Sequence, residues 1–144
     1  MTEPVGGRLG NLVAANLVAK DTQNCAKRDW AGNGLTLALV WGIPATVMVL
    51  ALLLEPWLRA VVWTAMLAWM GSACLHNARR CGRTHCRYTG PFFLAMAVLV
   101  VLHATGMVPL GDQPWLILGI LIAAGNALIW WGSERLLGTY SGRD

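Results

Sequence analysis

The stretch LTLALVWGIPATVMVLALLL, Leu35–Leu54, runs twenty residues without a charge, and its reading decides the fold. A bilayer's hydrocarbon core is about 30 Å thick and takes about 20 helical residues, so this run matches one crossing. Three further runs follow. Trp57–Leu75 is interrupted only by Arg59, while Pro91–Leu110 and Pro114–Trp131 carry no Asp, Glu, Lys or Arg. The spans predicted are 35–54, 57–75, 91–110 and 114–131. Composition agrees: 56% of the 144 residues are hydrophobic and 12% charged, against roughly 25% charged in soluble domains. The expected fold is all-α, a polytopic antiparallel bundle of four transmembrane helices.

The connections refine this picture. Glu55-Pro56 makes a minimal hairpin between the first two spans, and Gly111-Asp112-Gln113 before Pro114 makes another between the last two. Proline suits a helix's first turn, where its missing N–H would have no intrahelical partner. Thr89-Gly90-Pro91 reads the same way, as cap and start of the third helix. The middle connection, residues 76–90, is then long enough to be a functional loop.

An even number of spans puts this loop and both termini on one face. Ten of the eleven Lys/Arg lie there, Arg59 alone lying toward the other. By the positive-inside rule that face is cytoplasmic, which predicts an inner-membrane protein with both termini inside. Trp57 and Trp115 are expected at the outer boundary, Trp130 and Trp131 at the inner. Residues 1–33 show Leu9, Leu12, Val13, Leu17 and Val18 at helical spacing, the pattern of an amphipathic helix lying on the cytoplasmic leaflet. No apolar core or cleavage pattern of a secretory signal occurs there. Residues 34–132 form the membrane domain and 133–144 a cytoplasmic tail.

Small residues recur every fourth position as Ala38-Gly42-Thr46, Ala60-Thr64-Ala68-Ser72 and Gly119-Ala123-Ala127. Such stripes let membrane helices approach closely, so they are the predicted packing seams. Asn126 is expected to be an interhelical hydrogen-bonding residue. Counted from Pro91, His103 falls about 18 Å along its helix, near mid-bilayer and level with Thr46 and Thr64. An intramembrane ionisable residue in such a polar layer is a functional candidate. Its bland alternative is a histidine bonded to a helix carbonyl or threonine. Haem is not expected, because His76 and His85 lie at a different depth from His103.

Chemistry concentrates in CLHNARRCGRTHCR, Cys74–Arg87, which holds three of the four cysteines and two of the three histidines. Cytoplasmic thiols stay reduced, so metal or redox roles outrank structural disulfides. Cys74, Cys81 and Cys86, with His85 or His76, could supply a Cys3His set for Zn2+, or a thiolate set for Cu+. Cys25 is a further candidate ligand. Arg79, Arg80, Arg83 and Arg87 favour thiolates and oppose hard dications. They could equally grip anionic lipid or a protein partner.

Topology and cysteine usage resemble the small mercuric-ion transport proteins of bacterial resistance systems. The resemblance implies passage of a soft metal ion between thiols toward a cytoplasmic acceptor. Those proteins carry a cysteine pair in or beside the first helix, where Leu35–Leu54 has none. The leading expectation is a membrane protein that binds a Zn, Cu or Hg class ion for handling or transport. The alternatives are a thiol-redox protein cycling a Cys81–Cys86 disulfide and a non-catalytic subunit docking through the arginines. No nucleic-acid partner and no ATP coupling are expected.

Overall fold

The computed structural model describes residues 33–138, together with Asn16, Lys20 and Gln23, which are helical and exposed. The amphipathic stretch of Leu9, Leu12, Val13, Leu17 and Val18, the Cys25 candidate and the tail beyond Gly138 lie outside the described residues.

The described chain is all-helical, with four helices long and apolar enough to cross a membrane: α1 (Gly34–Leu53), α2 (Pro56–Cys81), α3 (Thr84–Ala104) and α4 (Pro114–Leu137). Asn33 caps α1, its side chain accepting from Leu35 N–H at 3.0 Å. Residues Ala38–Gly42 widen into a π turn, in which Ile43 N–H reaches back to Ala38 C=O. Pro44 follows directly. Its ring has no N–H and crowds the carbonyl four residues back, and the wider turn relieves that conflict.

α2 and α3 form the central pair, with α1 packed on α2 and α4 on α3. Their backbones meet at two glycines. A Cβ on Gly90 would lie 2.7 Å from Leu75 Cγ and 3.2 Å from the Gly71 carbonyl oxygen. A Cβ on Gly71 would lie 3.0 Å from the Gly90 carbonyl oxygen. On α4 the close approach is at Gly125, which faces the Phe92 ring. The predicted small-residue seams hold only in part: Ala60 is buried, Thr64 and Ala68 are half-buried and Gly119 stands beside the Trp63 ring. Ala38, Gly42, Thr46, Ser72, Ala123 and Ala127 are exposed. What selects a packing position is its place on the buried face, and the glycines allow a closer approach there than alanine would.

The largest departure from expectation is the middle connection. α2 runs to Cys81 and α3 begins at Thr84, so the predicted loop 76–90 shrinks to Gly82 and Arg83. Gly82 ends α2 in the left-handed conformation (φ 63°), and its N–H bonds Ala78 C=O at 2.8 Å. Arg79 and Arg80 occupy the last turn of α2, where positive charge opposes the negative helix end. Pro91 lies inside α3 rather than at its start. Thr89 caps nothing; its hydroxyl donates to His85 C=O at 2.9 Å, a back-bond of the kind that accompanies proline in apolar helices.

α3 also stops earlier than predicted, at Ala104 instead of Leu110. Gly106 at φ 78° turns the chain. Both shifts move His103 to the last turn of α3, away from mid-helix. Its Nδ1–H donates to Val108 C=O at 3.0 Å. Thr46 is exposed and its hydroxyl donates to Gly42 C=O at 2.8 Å. No hydrogen bond joins His103 to Thr46 or Thr64, so the polar layer does not form. His103 and Thr64 instead line one open groove of about 690 Å³.

Candidate thiol site

The buried stripe of α2 reads Ala60, Trp63, Leu67, Met70, Cys74, Asn77 and Cys81, alternating steps of three and four. That is the stripe of a helix facing a partner, and it continues without a break past the apolar run into Asn77 and Cys81. On α3 the matching stripe is Cys86, Thr89, Phe93, Met96 and Val100. Two facing stripes and a two-residue turn bring Cys86 against α2. Residues 85 and 86 are separated by about 100° around the helix. Cys86 therefore faces α2 while His85 faces α4.

The Cys86 thiol has three neighbours. The Cys74 thiol stands against it, and Thr89 and Trp41 stand beside Cys74. Asn77 Nδ2 donates to Cys86 Sγ at 3.5 Å. His85 Nε2 lies 3.3 Å from the same sulfur. Cys74, His85 and Cys86 are all fully buried.

The other face of His85 belongs to α4. Its Nδ1 lies 2.6 Å from Glu134 Oε1, and its ring stacks on Trp130 at 4.5 Å between centroids, 15° from parallel. Trp41 of α1 meets Trp130 edge-on at 5.4 Å. Arg83 Nε and Nη2 reach Glu134 Oε1 at 3.2 and 3.1 Å. Arg83 Nε also lies 3.4 Å from His85 Nδ1. Both cannot hold with Nδ1 as acceptor, and the distances decide it. A 2.6 Å contact to a carboxylate requires a proton between the atoms, so Nδ1 carries the hydrogen and Arg83 Nε points to Glu134. In the neutral ring Nε2 is then the acceptor that faces the Cys86 thiol.

The predicted site residues divide sharply. Cys74, His85 and Cys86 come together. Cys81 is buried in the last turn of α2, but the thiol in contact with Cys86 is that of Cys74. His76 is exposed. Among the described residues, no group of three or more His, Cys, Asp and Glu is arranged to hold a metal ion. Arg79, Arg80 and Arg87 are exposed, whereas Arg83 turns inward to Glu134. Asn126 bonds no neighbour through its buried Oδ1 among the described residues. It lines a recess of about 520 Å³ with Trp130, Trp131, Glu134 and Arg135.

Sequence reasoning missed Asn77, Glu134 and Trp130. Asn77 was legible from its place three residues after Cys74 on the heptad stripe. Glu134 was legible only as the sole acidic residue of α4, one turn beyond Trp130. Comparison of this chain with family models, curated proteins and solved structures finds no match.

Proposed function

We propose that this is an integral membrane protein whose function is thiol chemistry at the Cys74–Cys86 pair. Membrane insertion is supported by surface chemistry. α4 buries only Leu118 and Ser133, while Leu116, Ile120, Leu128 and Leu136 stand exposed. A helix that is apolar all round and mostly uncovered is suited to lipid. In the proposed orientation the four helices cross antiparallel and the Gly82 turn faces the cytoplasm. Arg79, Arg80 and Arg87 then meet anionic headgroups, at about 1 kcal/mol each.

The observation that carries the thiol reading is the Cys86 sulfur held between a second thiol, an amide donor and an imidazole nitrogen. A nucleophile, a base within hydrogen-bond reach and a third group orienting the base are the parts of an activated thiol. In a cytoplasm-facing site, disulfides are transient, catalytic or sensing. The proposed cycle uses a small disulfide as oxidant. Cys86 thiolate attacks one of its sulfurs and expels a thiolate. Cys74 thiolate then attacks Cys86 Sγ, closes the 74–86 disulfide and releases the second thiol. Two protons leave with two electrons, and the small disulfide becomes two thiols.

The test is equilibration of the full-length protein in small thiol/disulfide buffers, followed by alkylation and mass mapping. A 74–86 disulfide that forms and reverses, persists in Cys81→Ser and vanishes in Cys74→Ser is the expected result. Its absence under oxidising conditions overturns the redox reading. Cysteine-dependent uptake of zinc or copper without such a disulfide would put soft-metal handling, in sequestration or transport, in its place.

A further inference from the structure

We infer that Glu134 is the positioning residue for the Cys86 thiol: it fixes His85 in the Nδ1–H tautomer, so that Nε2 faces the sulfur as its proton acceptor. The inference rests on the thiol reading above and adds to it a base and the group that orients that base. Cys86, His85 and Glu134 come from two helices, 49 residues apart between His85 and Glu134. Nothing in helix packing alone requires a carboxylate on an imidazole at that point.

The geometry restrains the imidazole at one ring face and at both nitrogens. Trp130 stacks on one ring face. The Nδ1–H is held by Glu134 Oε1, and that oxygen is held in turn by the Arg83 guanidinium. Nε2 then lies 3.3 Å from Cys86 Sγ. The charged or titratable groups that meet His85 are Arg83 of the turn, Cys86 of α3 and Glu134 of α4. In the step proposed, the Cys86 S–H bond breaks as the N–H bond forms at Nε2. Nδ1 keeps its proton, and the product is a thiolate beside an imidazolium whose positive charge faces Glu134. No net charge is created. A carboxylate that orients a histidine and stabilises its cation without itself taking the proton is the known logic of triads.

Glu134 also touches the outside. It lines the recess with Asn126, Trp130, Trp131 and Arg135. The Glu134 carboxylate is thereby within reach of water while the imidazole and thiol stay buried.

The experiment reads the tautomer first, because it needs no variant. The full-length protein, labelled with 15N-histidine in lipid nanodiscs, is examined by 15N NMR, with His85 assigned by loss of its signals in His85→Asn. The expected spectrum shows His85 protonated at Nδ1 and bare at Nε2. Glu134→Gln, close to isosteric, is expected to populate the Nε2–H form. The rate at which methyl methanethiosulfonate modifies Cys86 is then measured by mass spectrometry in a Cys74→Ser background. We expect Glu134→Gln to slow it about tenfold and His85→Asn about a hundredfold, the lower end of general-base effects. Glu134→Asp should restore part of the rate, and the double variant should be no slower than His85→Asn. An Nε2–H tautomer in the wild type, or Cys86 modification indifferent to both substitutions, overturns the inference. A 74–86 pair that never oxidises would remove the redox reading alone, since both readouts here work without a disulfide.

Discussion

The two ends of the same helices treat their polar residues differently. At the Gly82 end, Asn77 of α2, His85 and Cys86 of α3, and Glu134 of α4 bond to one another across three helices. At the opposite end, Arg59 Nη2 donates to the carbonyls of Leu52 and Leu54 at 2.7 and 2.9 Å. His103 bonds Val108 C=O, and both side chains pack on the Trp115 ring. There, polar groups tidy the backbone of their own turns. A histidine that meets only a nearby carbonyl solves a local problem of helix ends. One that meets a carboxylate 49 residues away and a thiol at once has been assembled by the fold. The proposed thiol chemistry accordingly rests on His85 and not on His103.

Substitutions can break or sharpen this contrast. The largest effect is expected from Gly90→Ala, because the new Cβ must enter the Leu75 side chain beside the Gly71 carbonyl. The loss should lie toward the upper end of roughly 1–3 kcal/mol, as for overpacked cores. It should also disturb the Cys74–Cys86 contact one turn away, read as slower disulfide closure. Unchanged unfolding in graded denaturing detergent would show that the crossing is looser than the glycines indicate.

Glu134→Ala comes next. It strips the buried His85 Nδ1–H of its acceptor and should cost about 2 kcal/mol, the price of a lost charge-assisted partner. Arg59→Ala removes two bonds to the end of α1 and should cost about 1 kcal/mol. The same detergent titration compares the two. Equal losses would abolish the distinction between an assembled cluster and a local cap. Thr46→Val should be the mildest, within about 0.5 kcal/mol, since its hydroxyl only back-bonds to Gly42 on an exposed face.

The sequence was most legible where a single physical rule governs. Each apolar run is near twenty residues, so each gives a helix long enough to cross a membrane. It was least legible at the middle connection. Hydropathy falls after Leu75, and a reading tied to hydropathy ends the helix there. The stripe Cys74, Asn77, Cys81 continues the three–four alternation and, with Gly82 behind it, carries the true boundary. Pro91 misled in the same way, because proline marks a first turn in water more firmly than inside an apolar helix.

The amino-acid sequence by itself determined the four membrane-length helices of the described residues, the short connection at Glu55, and the concentration of thiols and imidazoles in Cys74–Cys86, since these follow from length, hydropathy and residue type. Only the tertiary structure decided that Cys86 meets Cys74 rather than Cys81, that His85 turns to Glu134, and that His103 stands at a helix end. Those outcomes depend on helical phase across a two-residue turn, about 100° per residue. With Thr84–Gly90 wound into α3 instead of lying in a loop, the turn of about 100° between His85 and Cys86 assigns the two side chains to different neighbouring helices.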